Sequence, residues 1–192
     1  LGTTQYAGMT SLQLASLTTE QAAALDTTDL LAIRPNQIAG LRTAAIAALG
    51  SGAVDALTTD QLAALSTSQL RAIELEDLTA IDAAKLATLS GAKIAALTTA
   101  QVDALTSAQF TGLTTAQTAA LTTAQLSALD APTLAQLGTA AFATFSSAQV
   151  AGLRADQIAG METADLVALG TAQIRALSAT QLAAMDANQL GA

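Results

Sequence analysis

The chain has no histidine, no cysteine and no tryptophan among its 192 residues, and its only aromatic residues are Tyr6, Phe110, Phe142 and Phe145. Without histidine and cysteine there is no Ser-His-Asp or Cys-His nucleophile system, no zinc centre of the usual ligand set and no histidine-held haem. A disulfide framework is excluded with them. Positive charge is also scarce, seven basic residues against fifteen acidic ones for a net charge of −8, which opposes a phosphate-backbone partner. We therefore expect no nucleic-acid binding. Long apolar runs are missing too: alanine and leucine are interrupted every few residues by Thr, Gln, Asp or Ser, so no stretch reaches the ~18 residues of a membrane span. No charged segment followed by an apolar one opens the sequence at Leu1, and no targeting signal is read in it.

What is present is one phrase said many times. Residues 98–129 read TTAQVDAL, TSAQFTGL, TTAQTAAL, TTAQLSAL. Counted in eights from Gly2, this register runs to the end with no insertion or deletion, and the last octad, residues 186–192, lacks only its final large apolar residue. Leu1 would supply that residue if a further copy preceded it. Residues 1–192 are thus read as a single repeat array of 24 octads, with copies expected to continue head to tail, covalently or by stacking. Octads are numbered below from residues 2–9.

Each position of the octad has a physical role. Position 1 is Ser, Thr, Asp or Gly in 19 of the 24 octads and position 4 is Gln in 15, which is the capping box that opens a helix. Pro35 stands at position 2, the first helical site, where proline is best tolerated. Gly2, Gly50, Gly138 and Gly170 stand at position 1, just past the preceding helix, where a left-handed turn is expected. Position 8 is Leu, Ile, Met or Phe throughout, position 5 is apolar except at Thr118, and position 7 is nearly always Ala or Gly. Positions 5 and 8 are read as the core and position 7 as the place where backbones approach closely.

A single continuous helix is disfavoured because a straight seam of period eight needs about 4 residues per turn, outside the range of known supercoils. A β-solenoid is disfavoured because Ala, Gln and Leu are not strand formers and the apolar spacing of three and five is not period two. The expected fold is all-α: an α-solenoid of very short helices, one per eight-residue repeat, with three or four octads per coil. No such helix is stable alone, so each must stack on its neighbours.

Departures from the phrase mark candidate contact residues. Leu12, Leu31, Leu75 and Val167 are large apolar side chains at positions elsewhere polar or small, and Phe142 and Phe145 lie in a stretch, residues 130–145, that loses the position-4 Gln or Asp. These six are the candidates for a lateral or partner contact. The acidic group Glu74, Glu76, Asp77 and Asp82, just before the only lysines, Lys85 and Lys93, is read as a solvated patch favoured by helix dipoles rather than a metal site. No catalytic, cofactor-binding or metal residue is identified, and no cofactor is expected.

The phrases LTTAQVDAL (residues 97–105) and LTTAQLSAL (residues 121–129) resemble the Ala, Thr, Gln and Leu-rich tandem repeats of very large secreted or surface proteins of Gram-negative bacteria, often described as adhesin-like or haem-utilisation-like. The resemblance covers the whole chain and implies an extended extracellular role without transferring any functional residue. LTTDQLAAL (residues 57–65) also resembles the opening helix of the DNA-reading repeats of plant-pathogen effectors. Those repeats are several times longer and carry a base-reading loop, from which the period of eight departs.

The functional expectation is a non-enzymatic structural protein at the cell surface or outside the cell, a rod or filament that self-associates end to end, with lateral association as a second mode. The alternative is a monomeric adhesin stalk or a surface-, glycan- or ice-binding module. A repeated surface offers the same groups many times, which suits binding or scaffolding better than one catalytic pocket.

Overall fold

Twenty-four short α-helices follow one another, with no strand, among residues 2–192, the part of the chain described by the computed structural model. The expected completion of a preceding octad by Leu1 lies outside the described residues. Every helix opens at position 2 of its octad, with position 1 as N-cap. At Thr98, Oγ1 accepts from the Gln101 N–H at 3.0 Å, while the Thr98 N–H donates to Gln101 Oε1 at 2.9 Å. Two amides that a helix start would orphan are thereby satisfied reciprocally.

The helices last only four to six residues, about 6 to 9 Å, short of the full eight-residue octad. The shortfall arises because position 8 leaves the helix: Leu65, for example, has φ −57° and ψ 136°. The glycine expectation is also corrected. Only Gly138 is left-handed, at φ 71°, whereas Gly2, Gly50 and Gly170 have φ of −103°, −82° and −76°. An N-cap must be extended for its carbonyl to accept the first helical bond, and that requirement governs these three sites.

Consecutive helices wind into coils. Within residues 2–97 the helix Pro35–Ile38 packs on Thr59–Ala64 and Thr43–Ala47 on Thr67–Ala72; within residues 98–192, Thr99–Asp103 packs on Thr123–Ala128 and Ala155–Ala159 on Ala179–Ala183. Within each unit a helix therefore lies against the third helix along. The side-chain bonds described below reach the fourth octad back, so a coil holds between three and four octads rather than either whole number.

Contacts divide the array into two compact units, residues up to Leu97 and residues from Thr98, and the cut falls between octads 12 and 13. Inside each unit positions 5 and 8 form the core. Leu62, Leu65, Leu70 and Ile73 are buried in the first, and Leu126, Leu129, Val150 and Leu153 in the second. Thr118, the one polar residue at position 5, is buried as well, and its hydroxyl donates to the Thr115 carbonyl at 3.0 Å. At Gly40, Gly152 and Gly160, all at position 7, the coils nearly touch. A Cβ on Gly40 would come within 2.5 Å of the Ser11 carbonyl oxygen, and one on Gly160 within 2.7 Å of Ala131 Cβ. Both contacts set position 7 of one octad over position 2 of the octad three before.

Candidate functional site

Position 4 does more than cap. Gln61 is 1% exposed, and each polar atom of its amide has a partner. Its Oε1 accepts from the Thr58 N–H at 2.9 Å, closing its own helix. Its Nε2 donates to the carbonyls of Leu30 at 2.7 Å and Ile33 at 2.6 Å, in the octad four before. One side chain thus caps the N-terminus of its helix and the C-terminus of a helix one coil away, where the Leu30 carbonyl also accepts from the Ile33 N–H at 3.1 Å.

The same bond recurs along both units. Gln69 donates to Leu41 at 2.7 Å, Gln157 to Leu126 and Leu129 at 2.7 and 2.8 Å, Gln173 to Phe145 at 2.7 Å and Gln181 to Leu153 at 2.7 Å. Buried amides of this kind are tolerated only because they are bonded, and each contributes about 1 kcal/mol net.

The lysines, which the sequence set beside the acidic group, belong to this ladder. Lys93, at position 4 of octad 12, donates from Nζ to the carbonyls of Ala63 and Leu65, the latter at 2.6 Å, and burial holds its ammonium below the ordinary lysine pKa. Lys85 donates to the Asp55 carbonyl and pairs with its carboxylate at 3.4 Å. Arg154 reaches from position 1 to the carbonyls of Ser127 and Leu129. A signal for this second duty was available. Glutamate serves a capping box as well as glutamine, yet position 4 is never Glu, in keeping with a side chain that gives hydrogens to the coil before it.

Aspartate at position 4 is the costly exception. Asp77 is buried, and burial, followed by the nearby charges of Glu74 and Glu76, pushes its carboxyl above the usual value. Asp165, also buried, accepts from the Thr139 hydroxyl at 3.0 Å.

The six candidate contact residues separate into two groups. Phe142 and Phe145 are 0% and 4% exposed and meet edge to face, ring centroids 5.4 Å apart at 72°. They fill the core at positions 5 and 8, so the expectation of a partner contact there is corrected. Leu12, Leu31, Leu75 and Val167 are exposed by 84%, 51%, 45% and 63%. In the first unit Leu12, Leu31 and Leu75 fall at different octad positions and are not spaced by the 28 to 31 residues that relate one coil to the next, so they form no common ridge.

The first and last octads among the described residues show opposite halves of the ladder. At one end Gln5, Gln13 and Gln21 are exposed, and while each Oε1 accepts from its own N-cap amide, no acceptor meets any of their Nε2 groups among the described residues. At the other end the position-8 carbonyls of Leu169, Leu177 and Met185 receive no side-chain donor among the described residues. Ile174, Leu182 and Leu190 are exposed there, and a cavity of about 270 Å³ opens between Leu166, Leu169, Ile174, Met185 and Gln189.

Among the described residues no group of three acidic side chains is placed to hold a metal ion, and no helix is long and apolar enough to cross a membrane. Comparison with known families gives a match to the one described as the ALTTAQ repeat, over residues 22–59, 30–67, 70–107 and 158–192, together more than half of the chain. All four matches begin at position 5 of an octad, so the family shares the frame described above. No curated protein and no solved structure matches the chain.

Proposed function

Because the chain belongs to the ALTTAQ repeat family, whose eight-residue frame it keeps through both units, we propose that it is a non-catalytic structural protein, a segment of an extended rod or filament in which octad coils continue end to end. Its place, in this reading, is the cell surface or the extracellular space, in keeping with its resemblance to the repeats of large bacterial surface proteins. The observation that carries the proposal is the ladder itself. The groups that recur in every coil are spent on the coil before it, as Gln61 is on Leu30 and Ile33, and each coil added leaves the same row of acceptors for the next. Repetition of this kind serves extension, since repeat arrays gain stability from nearest-neighbour interfaces and have no fixed length.

Negative-stain electron microscopy of the purified chain tests the proposal. Fibres many times longer than one chain support it. Isolated particles of one chain's size at every concentration would remove the filament and leave the monomeric stalk, which presents its surface to a glycan or a crystal face.

A further inference from the structure

We propose that octad 17, residues 130–137, is an opening point built into the second unit, where one coil parts from the coil before it by local unfolding while the neighbouring octads stay closed. Position 4 marks the place. The position-8 carbonyls of octads 16, 18, 19 and 20, those of Leu129, Phe145, Leu153 and Met161, accept from Gln157, Gln173, Gln181 and Gln189 at 2.7 to 2.8 Å. The residue at the corresponding position for Leu137 of octad 17 is Asp165, whose carboxylate instead accepts from the Thr139 hydroxyl at 3.0 Å. Octad 17 gives no such bond either, since Thr133 stands where a glutamine would reach the coil before, and Ala141 repeats the loss in octad 18. The ladder thus passes over octad 17 in both directions. Octad 6 is passed over in the same way, by Ala45 and Asp77, yet its Ile46 and Leu49 are fully packed into the core. Missing rungs alone do not loosen a coil.

At octad 17 the packing fails as well. Of the pairings of a helix with the third along in the second unit, the thinnest is that of Ser107–Thr111 with Ala131–Ala135. Position 7, which nests over position 2 of the octad three before and is nearly always Ala or Gly, is here Gln136, a side chain too large for that place. Its Oε1 is buried with no hydrogen-bond partner, a costly state for an amide oxygen. Leu137, at position 8, is only half-buried, whereas Leu129 and Phe145, one octad before and one after, are core residues. The next helix begins weakly too. Its N-cap, Gly138, is the one left-handed residue among those described, and the Phe142 N–H reaches the Gly138 carbonyl at 3.5 Å, against 3.0 and 3.1 Å for the same bond at Leu126 and Val150. Toward the following coil the octad is held closely, with Ala131 directly beneath Gly160, so the parting falls on the side of the coil before. Thin apolar packing, missing hydrogen bonds between coils and an unpaired buried oxygen are the physical marks of a segment that opens at low free energy. Such a segment lets a repeat array yield at one place while its other coils stay shut.

Hydrogen exchange of the whole chain at neutral pH, read by mass spectrometry of peptic fragments, tests the proposal. Protection factors in octad 17, and at Phe142, should be about tenfold or more below those of octads 16, 19 and 20. Two repairs should raise them. Asp165→Gln supplies hydrogens to the Leu134 and Leu137 carbonyls as Gln157 does to Leu126 and Leu129, and Gln136→Ala removes both the bulk and the unpaired oxygen. Each installs the residue that most octads carry at that position, and unchanged helical circular dichroism shows that the fold is kept. Each should raise protection in octad 17 about tenfold and leave octads 16 and 19 as they were. Protection that is even from octad 16 to octad 20, or a weakly protected octad 17 that neither repair changes, overturns the proposal.

Discussion

Gln61 Nε2 lies 2.6 Å from the carbonyl oxygen of Ile33, a residue 28 positions earlier and in the preceding coil. The bond joins the start of one miniature helix to the end of another, so neither helix is a unit by itself. A segment of four to six helical residues is far below the length at which a helix persists in water, and its stability has to come from such neighbours.

Core and surface leucines should part sharply under the same substitution. Leu65 is 0% exposed at position 8, and Leu65→Asp places a carboxylate without a partner in the core, a change expected to cost more than about 4 kcal/mol. Leu12 is 84% exposed, and Leu12→Asp should stay within about 0.5 kcal/mol of wild type. Urea denaturation followed at 222 nm separates the two, and equal midpoints would contradict the assigned frame.

Glycines at different octad positions should respond in opposite directions. Gly40→Ala drives a methyl against the Ser11 backbone and should lose about 1–3 kcal/mol through overpacking. Gly52 is inside the helix Ser51–Ala56 with open space where a Cβ would go, so Gly52→Ala should gain about 0.5–1 kcal/mol. Thermal unfolding of the two variants decides the matter.

Asp77 should make part of the stability depend on pH. Its carboxyl is raised in the folded chain by burial and by Glu74 and Glu76, so the folded state holds the proton more tightly than the unfolded one. The contribution is fully present below the ordinary carboxylate value of 3.8 and is lost as pH rises through the elevated folded value. Asp77→Gln, which restores the residue used in most octads, should therefore stabilise the chain at pH 7 and much less at pH 3. Denaturation midpoints at the two pH values check the sign, and a larger gain at pH 3 would refute it.

The frame was legible in the sequence because its signals are local. Thr98 and Gln101 are three residues apart and bond to each other, Pro35 opens its helix, and positions 5 and 8 repeat often enough to mark the core. The burial of Phe142 and Phe145 follows from that same frame, and it was the loss of the position-4 Gln or Asp in residues 130–145 that suggested a contact role. The second bond of position 4 was not legible by proximity, since its partners stand 28 to 31 residues away and no short motif spans that distance. Its trace was compositional: position 4 is glutamine in 15 octads, with Lys85 and Lys93 in two others, and is never glutamate. The number of octads per coil was bounded at three or four and no more finely, for a related reason. It is fixed by how position 7 nests over position 2 in another coil, as Gly40 does over Ser11, and the octad's own pattern carries no record of that distance.

The ladder is tested most directly by a matched pair of substitutions at Gln61, compared by guanidinium denaturation at neutral pH. Gln61→Glu keeps the acceptor for the Thr58 N–H and removes only the donors to Leu30 and Ile33, while Gln61→Lys keeps a donor in the manner of Lys93. The predicted result is a loss of about 1–3 kcal/mol or more for the glutamate variant, with the lysine variant closer to wild type. A glutamate variant as stable as wild type, or a lysine variant the weaker of the two, would contradict the claim that position 4 ties each coil to the one before.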